Sequence, residues 1–191
     1  MLQFVNVPNL LSLTRILFTP LFIWLLFKGG GFLFIAVIVF TLAALTDSYD
    51  GYIARRDGLV TELGNFLDPL ADKILIFGTF FALQLMKVVP GWFVCILIVR
   101  DILITTLRLV MLHRGKSLVT SKYGKVKTVV QFMTIYSAFL YLICYQNHVP
   151  AVVLRGITYG VQGALYVATG LMLFSGIDYL VKNRFQLLNS K

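Results

Sequence analysis

Residues 31–56 read GFLFIAVIVFTLAALTDSYDGYIARR. An uncharged run over 31–45 leads into Asp47 and Asp50 and then into Arg55 and Arg56. A helix of ~20 predominantly apolar residues crosses the hydrocarbon core of a bilayer, and this stretch has that length. Carboxylates at the edge of such a run are costly beside lipid, so their presence there points to function.

The same pattern recurs on either side. The chain has 191 residues, is 59% hydrophobic and has a mean hydropathy of +0.86, against ~45–50% apolar residues in ordinary soluble domains. Apolar runs predict six spans, at 10–27, 32–54, from between 63 and 68 to 86, 92–112, 126–145 and 152–180. Pro8 suits a turn or a first helical position and Asn9 a cap. Pro20 falls inside the first span, where a membrane helix tolerates it with a kink. Lys28 and Gly29 to Gly31 predict a tight connection, and Val89, Pro90, Gly91 and Pro150 mark others. The opening MLQFVNVPNL has no basic region and no small-residue cleavage site, so the first apolar run is expected to be retained. Cys95 and Cys144 stand singly in apolar runs and read as small buried residues. No repeat or linker interrupts the chain, which predicts one domain over 1–191.

The net charge is +9. Most Lys and Arg fall in the connections after the second and fourth spans and in the C-terminal tail. The other connections hold only Lys28, Lys87 and Arg155. Basic residues collect on the cytoplasmic side and face anionic lipid. The charge therefore reads as membrane orientation, with no nucleic-acid partner. The expected fold is an all-α integral membrane protein, a bundle of six transmembrane helices with both termini cytoplasmic.

Residues 47–72, DSYDGYIARRDGLVTELGNFLDPLAD, hold six of the eight acidic residues: Asp47, Asp50, Asp57, Glu62, Asp68 and Asp72. At 100° per residue, Asp47, Asp50, Gly51 and Ala54 share a helix face. Asp68 and Asp72 stack four apart, with Gly64 one turn earlier. A short loop makes the two helices antiparallel neighbours whose acidic faces can meet. Four close carboxylates need a counter-charge, and a hard cation such as magnesium, manganese or calcium suits oxygen ligands. Two such ions about 3.5–4 Å apart can clamp a phosphoryl group. Gly51, Ala54 and Gly64 leave room for a bulky ligand, and Arg55 suits phosphate oxygens. Asp57 and Glu62 read as solvated loop charges, and Asp68 beside Pro69 also fits a helix cap.

The spacing is Asp, two residues, Asp-Gly, two, Ala-Arg, eight, Gly, three, Asp, three, Asp. It resembles the signature of the CDP-alcohol phosphotransferase family, matched at Asp47, Asp50, Gly51, Ala54, Arg55, Gly64, Asp68 and Asp72 without a departure. The resemblance implies six membrane helices, a homodimer, two divalent cations (Mg2+ or Mn2+) and transfer from a CDP-linked donor to an alcohol. It also implies Asp47, Asp50 and Asp68 as metal ligands. Asp72 then contributes to the metal site and is the candidate general base.

The runs VPNLLSLTRI (7–16), GNFLDPLADKIL (64–75), IVRD (98–101), GKVKTVVQ (124–131) and SGIDYLVKN (175–183) are similar to those of bacterial members. Those members take CDP-diacylglycerol as donor and glycerol 3-phosphate as acceptor. This implies a place in the cytoplasmic (inner) membrane with the active site facing the cytoplasm. A branch that takes phosphatidylglycerol shares the N-terminal pattern and the LDPLADKIL run. Asn9 and Arg15 belong to that N-terminal pattern and are candidates for the nucleotide or diphosphate. A helix-start and membrane-interface role is the other reading of both.

Basic residues further along suit the phosphate of an anionic acceptor. Arg100 lies deep in the fourth span, Arg108 follows two turns later, and Lys125 and Lys127 open the fifth. Arg100 has the alternative of pairing with Asp101 or Asp178. Arg114, Lys116 and Lys122 read as solvated charge, and His113 and His148 as span-end residues without a ligand role. Gly156 and Gly160 read as a helix-packing pair. A divalent-cation transporter would also place acids in a helical bundle, but near the midplane and with repeated halves. Here they gather at one end beside Arg55 and Gly64, so an enzyme is expected.

Overall fold

The computed structural model describes residues 7–56, 62–113 and 123–188, with side chains over 13–45, 70–107, 109–111 and 126–183. All regular structure in these residues is helical: α1 (Val7–Lys28), α2 (Phe32–Arg56), α3 (Glu62–Leu85), α4 (Gly91–His113), α5 (Tyr123–Gln146) and α6 (Ala151–Leu188). They fall at the six predicted spans, with differences at the ends. Asn9 is inside α1 and is no cap. Pro8 needs no amide partner in a first turn, so the helix begins before it. Arg55, one residue past the predicted end of the second span, and Glu62, expected in a loop, are helical. α6 passes residue 180 because VKNRFQLL contains no glycine or proline to stop it.

The helices form two compact units, which meet in sequence at Leu85 and Met86. In the first unit, α1 packs against both α2 and α3. Arg15, Thr19, Phe22 and Leu26 recur at helical spacing on α1, and all are buried. They define the face that α2 covers with Leu33, Ala36 and Phe40, and α3 with Leu75, Thr79 and Leu83. The Phe22 and Phe40 rings stand 5.4 Å apart. Pro20 lies on the exposed side and α1 continues through it. At Gly78 of α3 an added Cβ would lie 3.2 Å from both Thr19 Cγ2 and Ile23 Cδ1, so the approach to α1 depends on glycine there.

The turn into α2 uses left-handed backbone at Gly29 (φ 66°) and Gly30 (φ 56°), which glycine adopts without steric cost. Lys28 Nζ sits 4.1 Å from the Trp24 ring centroid and 4.9 Å from that of Phe32, an arrangement attractive to a cation.

In the second unit, α6 packs against α4 and against α5. Among the described residues α4 and α5 do not pack on each other. The core joins Phe93 and Leu97 of α4, Ile135 and Phe139 of α5, and Leu165 and Met172 of α6. α5 ends in a Schellman motif: His148 N–H bonds the Tyr145 carbonyl at 3.3 Å and Val149 N–H that of Cys144 at 3.1 Å. His148 occupies the left-handed position with φ 51°, the place glycine usually takes.

Large apolar residues cover the outside, including Leu17 and Trp24 on α1, Ile38 and Leu42 on α2, and Val152 and Ile177 on α6. A protein surrounded by water rarely shows so continuous an apolar exterior. Two segments, Val126–Gln146 in α5 and Ala151–Asn183 in α6, are long and apolar enough to cross a membrane. Cys95 corrects its reading as buried: it is exposed on α4, while Cys144 is half-buried, and both are free thiols. An apolar environment on both sides of a helix lets a small apolar residue face either way.

Candidate active site

The acidic stretch rests on continuous helix. α2 runs through Asp47, Asp50, Gly51, Ala54 and Arg55, and α3 through Gly64, Asp68 and Asp72. With a rise of ~1.5 Å per residue, Asp47 and Asp50 are separated by about 4.5 Å along the axis and Asp68 and Asp72 by about 6 Å. Asp72 is half-buried, beside Ala71 and one turn before Leu75, both fully buried. The side chains of Asp47, Asp50, Gly51, Ala54, Arg55, Gly64 and Asp68 lie outside the described ones, as do those of Asn9, Arg108 and Lys125. Arg15 is 1% exposed, so it faces the interior of its unit and is not an interfacial anchor.

The donor set of the four aspartates is all oxygen, which fits Mg2+ or Mn2+. Among the described residues no group of three or more His, Cys, Asp or Glu gathers as a metal site.

The second unit carries a buried polar network. Asp101 accepts from Lys127 Nζ on both carboxylate oxygens, at 2.7 Å to Oδ1 and 2.9 Å to Oδ2. It also accepts from Arg100 Nη1 on Oδ1 at 2.7 Å. Arg100 Nη2 donates to Ser175 Oγ at 2.8 Å, and Ser175 Oγ donates to the Met172 carbonyl at 3.1 Å. The Arg100 Nε is buried and has no hydrogen-bond partner. Lys127 is 8% exposed and Asp101 9%. Of the predicted acceptor residues the structure thus joins Arg100 and Lys127, through a carboxylate on α4. Asp178 pairs with Lys182 on its own helix at 2.9 Å, and of the two alternatives for Arg100 it is Asp101 that is found.

Ser175 received no role from the sequence. Its signal was weak: a hydroxyl followed by Gly176 in an apolar helix. His148 serves the backbone turn described above, and His113 is the last residue of α4. Arg114, Lys116 and Lys122 lie outside the described residues. A cavity of about 360 Å3 at the start of α4, lined by Lys87, Trp92, Gln162 and Tyr166 among others, contains none of the predicted site residues.

The profile of the CDP-alcohol phosphatidyltransferase family matches residues 5–175. The chain is 34% identical over 181 residues to a protein of Mycobacterium tuberculosis (strain ATCC 25618 / H37Rv) called "Probable phosphatidylglycerophosphate synthase", covering 93% of this chain and 81% of that one. It is 32% identical over 191 residues to the Bacillus subtilis (strain 168) "CDP-diacylglycerol--glycerol-3-phosphate 3-phosphatidyltransferase", with 93% and 95% covered. It is 34% identical over 194 residues to the Escherichia coli (strain K12) protein of the same name, with 96% and 98% covered. With the whole eight-position signature seated on α2 and α3 and the match running from the first helix into the last, the chain belongs to the CDP-alcohol phosphatidyltransferase family.

Proposed function

We propose that this protein transfers the phosphatidyl group of CDP-diacylglycerol to sn-glycerol 3-phosphate, releasing CMP and forming phosphatidylglycerol phosphate. The observation that carries the reading is the intact signature on two uninterrupted helices, in a chain alike over nearly its whole length to relatives bearing that activity in their names. All six helices are spans of one domain over 1–191. Both termini and the acidic ends of α2 and α3 face the cytoplasm, in a bacterial cytoplasmic membrane, and the protein is a homodimer.

The family is generally dependent on divalent cations. Asp47, Asp50, Asp68 and Asp72 would hold two Mg2+ or Mn2+ ions, which when bound neutralise charge on the donor's diphosphate. Gly51, Ala54 and Gly64 leave space for the donor against α2 and α3, and Asn9 and Arg15 contribute to nucleotide or diphosphate binding. Arg100, Arg108, Lys125 and Lys127 bind the acceptor's phosphate, with Arg100 and Lys127 held in the network described above. Asp72 takes the proton from the 1-hydroxyl of glycerol 3-phosphate. That oxygen bonds to the β-phosphorus, which carries the diacylglycerol, as the bond to the CMP oxygen breaks. Arg55 stabilises the charge that develops on CMP.

The test uses purified protein, CDP-diacylglycerol and Mg2+, with glycerol 3-phosphate, phosphatidylglycerol, serine and inositol phosphate offered in parallel. CMP release with glycerol 3-phosphate alone supports the proposal. Release with phosphatidylglycerol instead assigns the cardiolipin-forming branch. No CMP with any acceptor, together with Mg2+ flux in vesicles, assigns a transporter.

A further inference from the structure

We infer that Asp101 and Ser175 are positioning residues for the acceptor, holding Arg100 and Lys127 as a two-cation clamp for a phosphomonoester. The inference rests on the preceding reading that Arg100 and Lys127 receive the acceptor's phosphate.

The shape of the network is the first argument. One buried carboxylate on α4 orients two cationic heads, one from its own helix and one from α5.

Hydrogen-bond capacity is the second. A guanidinium has five N–H donors in a fixed fork. In Arg100 one goes to Asp101 and one to Ser175, and Nε is buried with nothing to bond. An orphaned buried donor on a cation is the mark of an absent acceptor oxygen.

Orientation is the third. Ser175 Oγ gives its own proton to the Met172 carbonyl, so its lone pairs are turned to Arg100 Nη2. Beside it Gly176 has no side chain, and a Cβ there would stand 3.8 Å from Arg100 Cγ and Nε. The arginine therefore lies against α6 with its fork set by a hydroxyl from that helix. Lys127 is set independently, by both oxygens of Asp101. The two heads are fixed by residues that need not touch the substrate themselves.

The experiment compares kcat and both KM values for Asp101→Asn, Asp101→Glu, Ser175→Ala and Lys127→Met in the full-length purified enzyme. The expectation for Asp101→Asn is a rise of about tenfold or more in KM for glycerol 3-phosphate, as for loss of a charged hydrogen bond, with little change for CDP-diacylglycerol. Asp101→Glu, which keeps a carboxylate, restores most of the affinity. Ser175→Ala moves the same KM in the same direction by a smaller factor. The inference is overturned if Asp101→Asn lowers the KM for glycerol 3-phosphate, which would make the carboxylate a competitor. It is overturned equally if both KM values shift together or if only kcat and thermal stability fall. Should Asp101→Asn fail to fold, Ser175→Ala and Asp101→Glu decide alone: an unchanged acceptor KM in Ser175→Ala, or a loss in Asp101→Glu equal for both substrates, refutes it. Lys127→Met separates the two levels. If it leaves the acceptor KM unchanged, the acceptor-site reading itself fails. If it raises that KM and the Asp101 and Ser175 variants do not, only the positioning inference fails.

Discussion

Lys127, near the start of α5, is held by both carboxylate oxygens of Asp101, in the middle of α4, at 2.7 and 2.9 Å. Removing Lys127 leaves Asp101 with Arg100 alone, and removing Asp101 leaves two buried cations without the carboxylate they share. Asp101→Asn and Lys127→Met should therefore be strongly non-additive. A double-mutant cycle on stability in detergent is expected to give a coupling of about 1–3 kcal/mol. Additive losses would mean that the pair contributes nothing as a pair.

Asp72→Asn keeps the shape of the side chain and removes its basicity. Turnover should fall by at least about a hundredfold, within the range contributed by general acid–base groups. Binding of CDP-diacylglycerol, followed as a rise in melting temperature on addition of the donor, should persist. Near-normal turnover would remove Asp72 from the role of base.

Chelation tests the carboxylate set. Treatment with EDTA should abolish CMP release, and Mg2+ or Mn2+ should restore it. Ca2+ should restore less, because its looser coordination clamps a phosphoryl group poorly. In Asp47→Ala or Asp68→Ala the cation concentration for half-maximal rate should rise steeply. An unchanged cation dependence in both would place the metals elsewhere.

Gly78→Leu examines the packing of the first unit. Thr19 Cγ2 and Ile23 Cδ1 already stand 3.2 Å from the position of a first side-chain carbon. A leucine there must push α1 from α3, with an expected loss of roughly 1–3 kcal/mol, as in other overpacked cores. The measurement is the melting temperature in detergent. Gly156→Leu on α6, where nothing lies within 4 Å, is the control and should cost much less.

Arg100→Ala should raise the glycerol 3-phosphate requirement more than the CDP-diacylglycerol requirement, as read from the two KM values. An equal effect on both would make the arginine structural.

The helices were legible because apolar runs alternate with Gly29–Gly31, Pro90 and Pro150, which interrupt helix for stated stereochemical reasons. The helical spacing of Asp47, Asp50, Asp68 and Asp72 was legible because it keeps its meaning wherever the helix is unbroken, as α2 and α3 are there. Helix faces were not. Helices apolar on all sides carry no stripe that tells inside from outside, so nothing in the run around Cys95 marks it as exposed. Ser175 was hidden for a related reason. A hydroxyl in an apolar helix usually satisfies itself on its own backbone, as Thr79 does on Leu75 and Thr158 on Leu154. Only the approach of Arg100 from α4 gives Ser175 a second partner. The end of α6 escaped because Lys182 looks like a connecting residue, yet nothing near it breaks a helix.

Among the described residues α4 and α5 each lean on α6 and not on one another, so the seam between them is closed there by side chains rather than by backbones in contact. Side chains change rotamer far faster than packed helices separate. The Lys127–Asp101 pair bridges that seam, and breaking it requires no helix to move. The tie between α4 and α5 can therefore be made and broken at the pace of a side-chain rotation, with both helices still seated on α6.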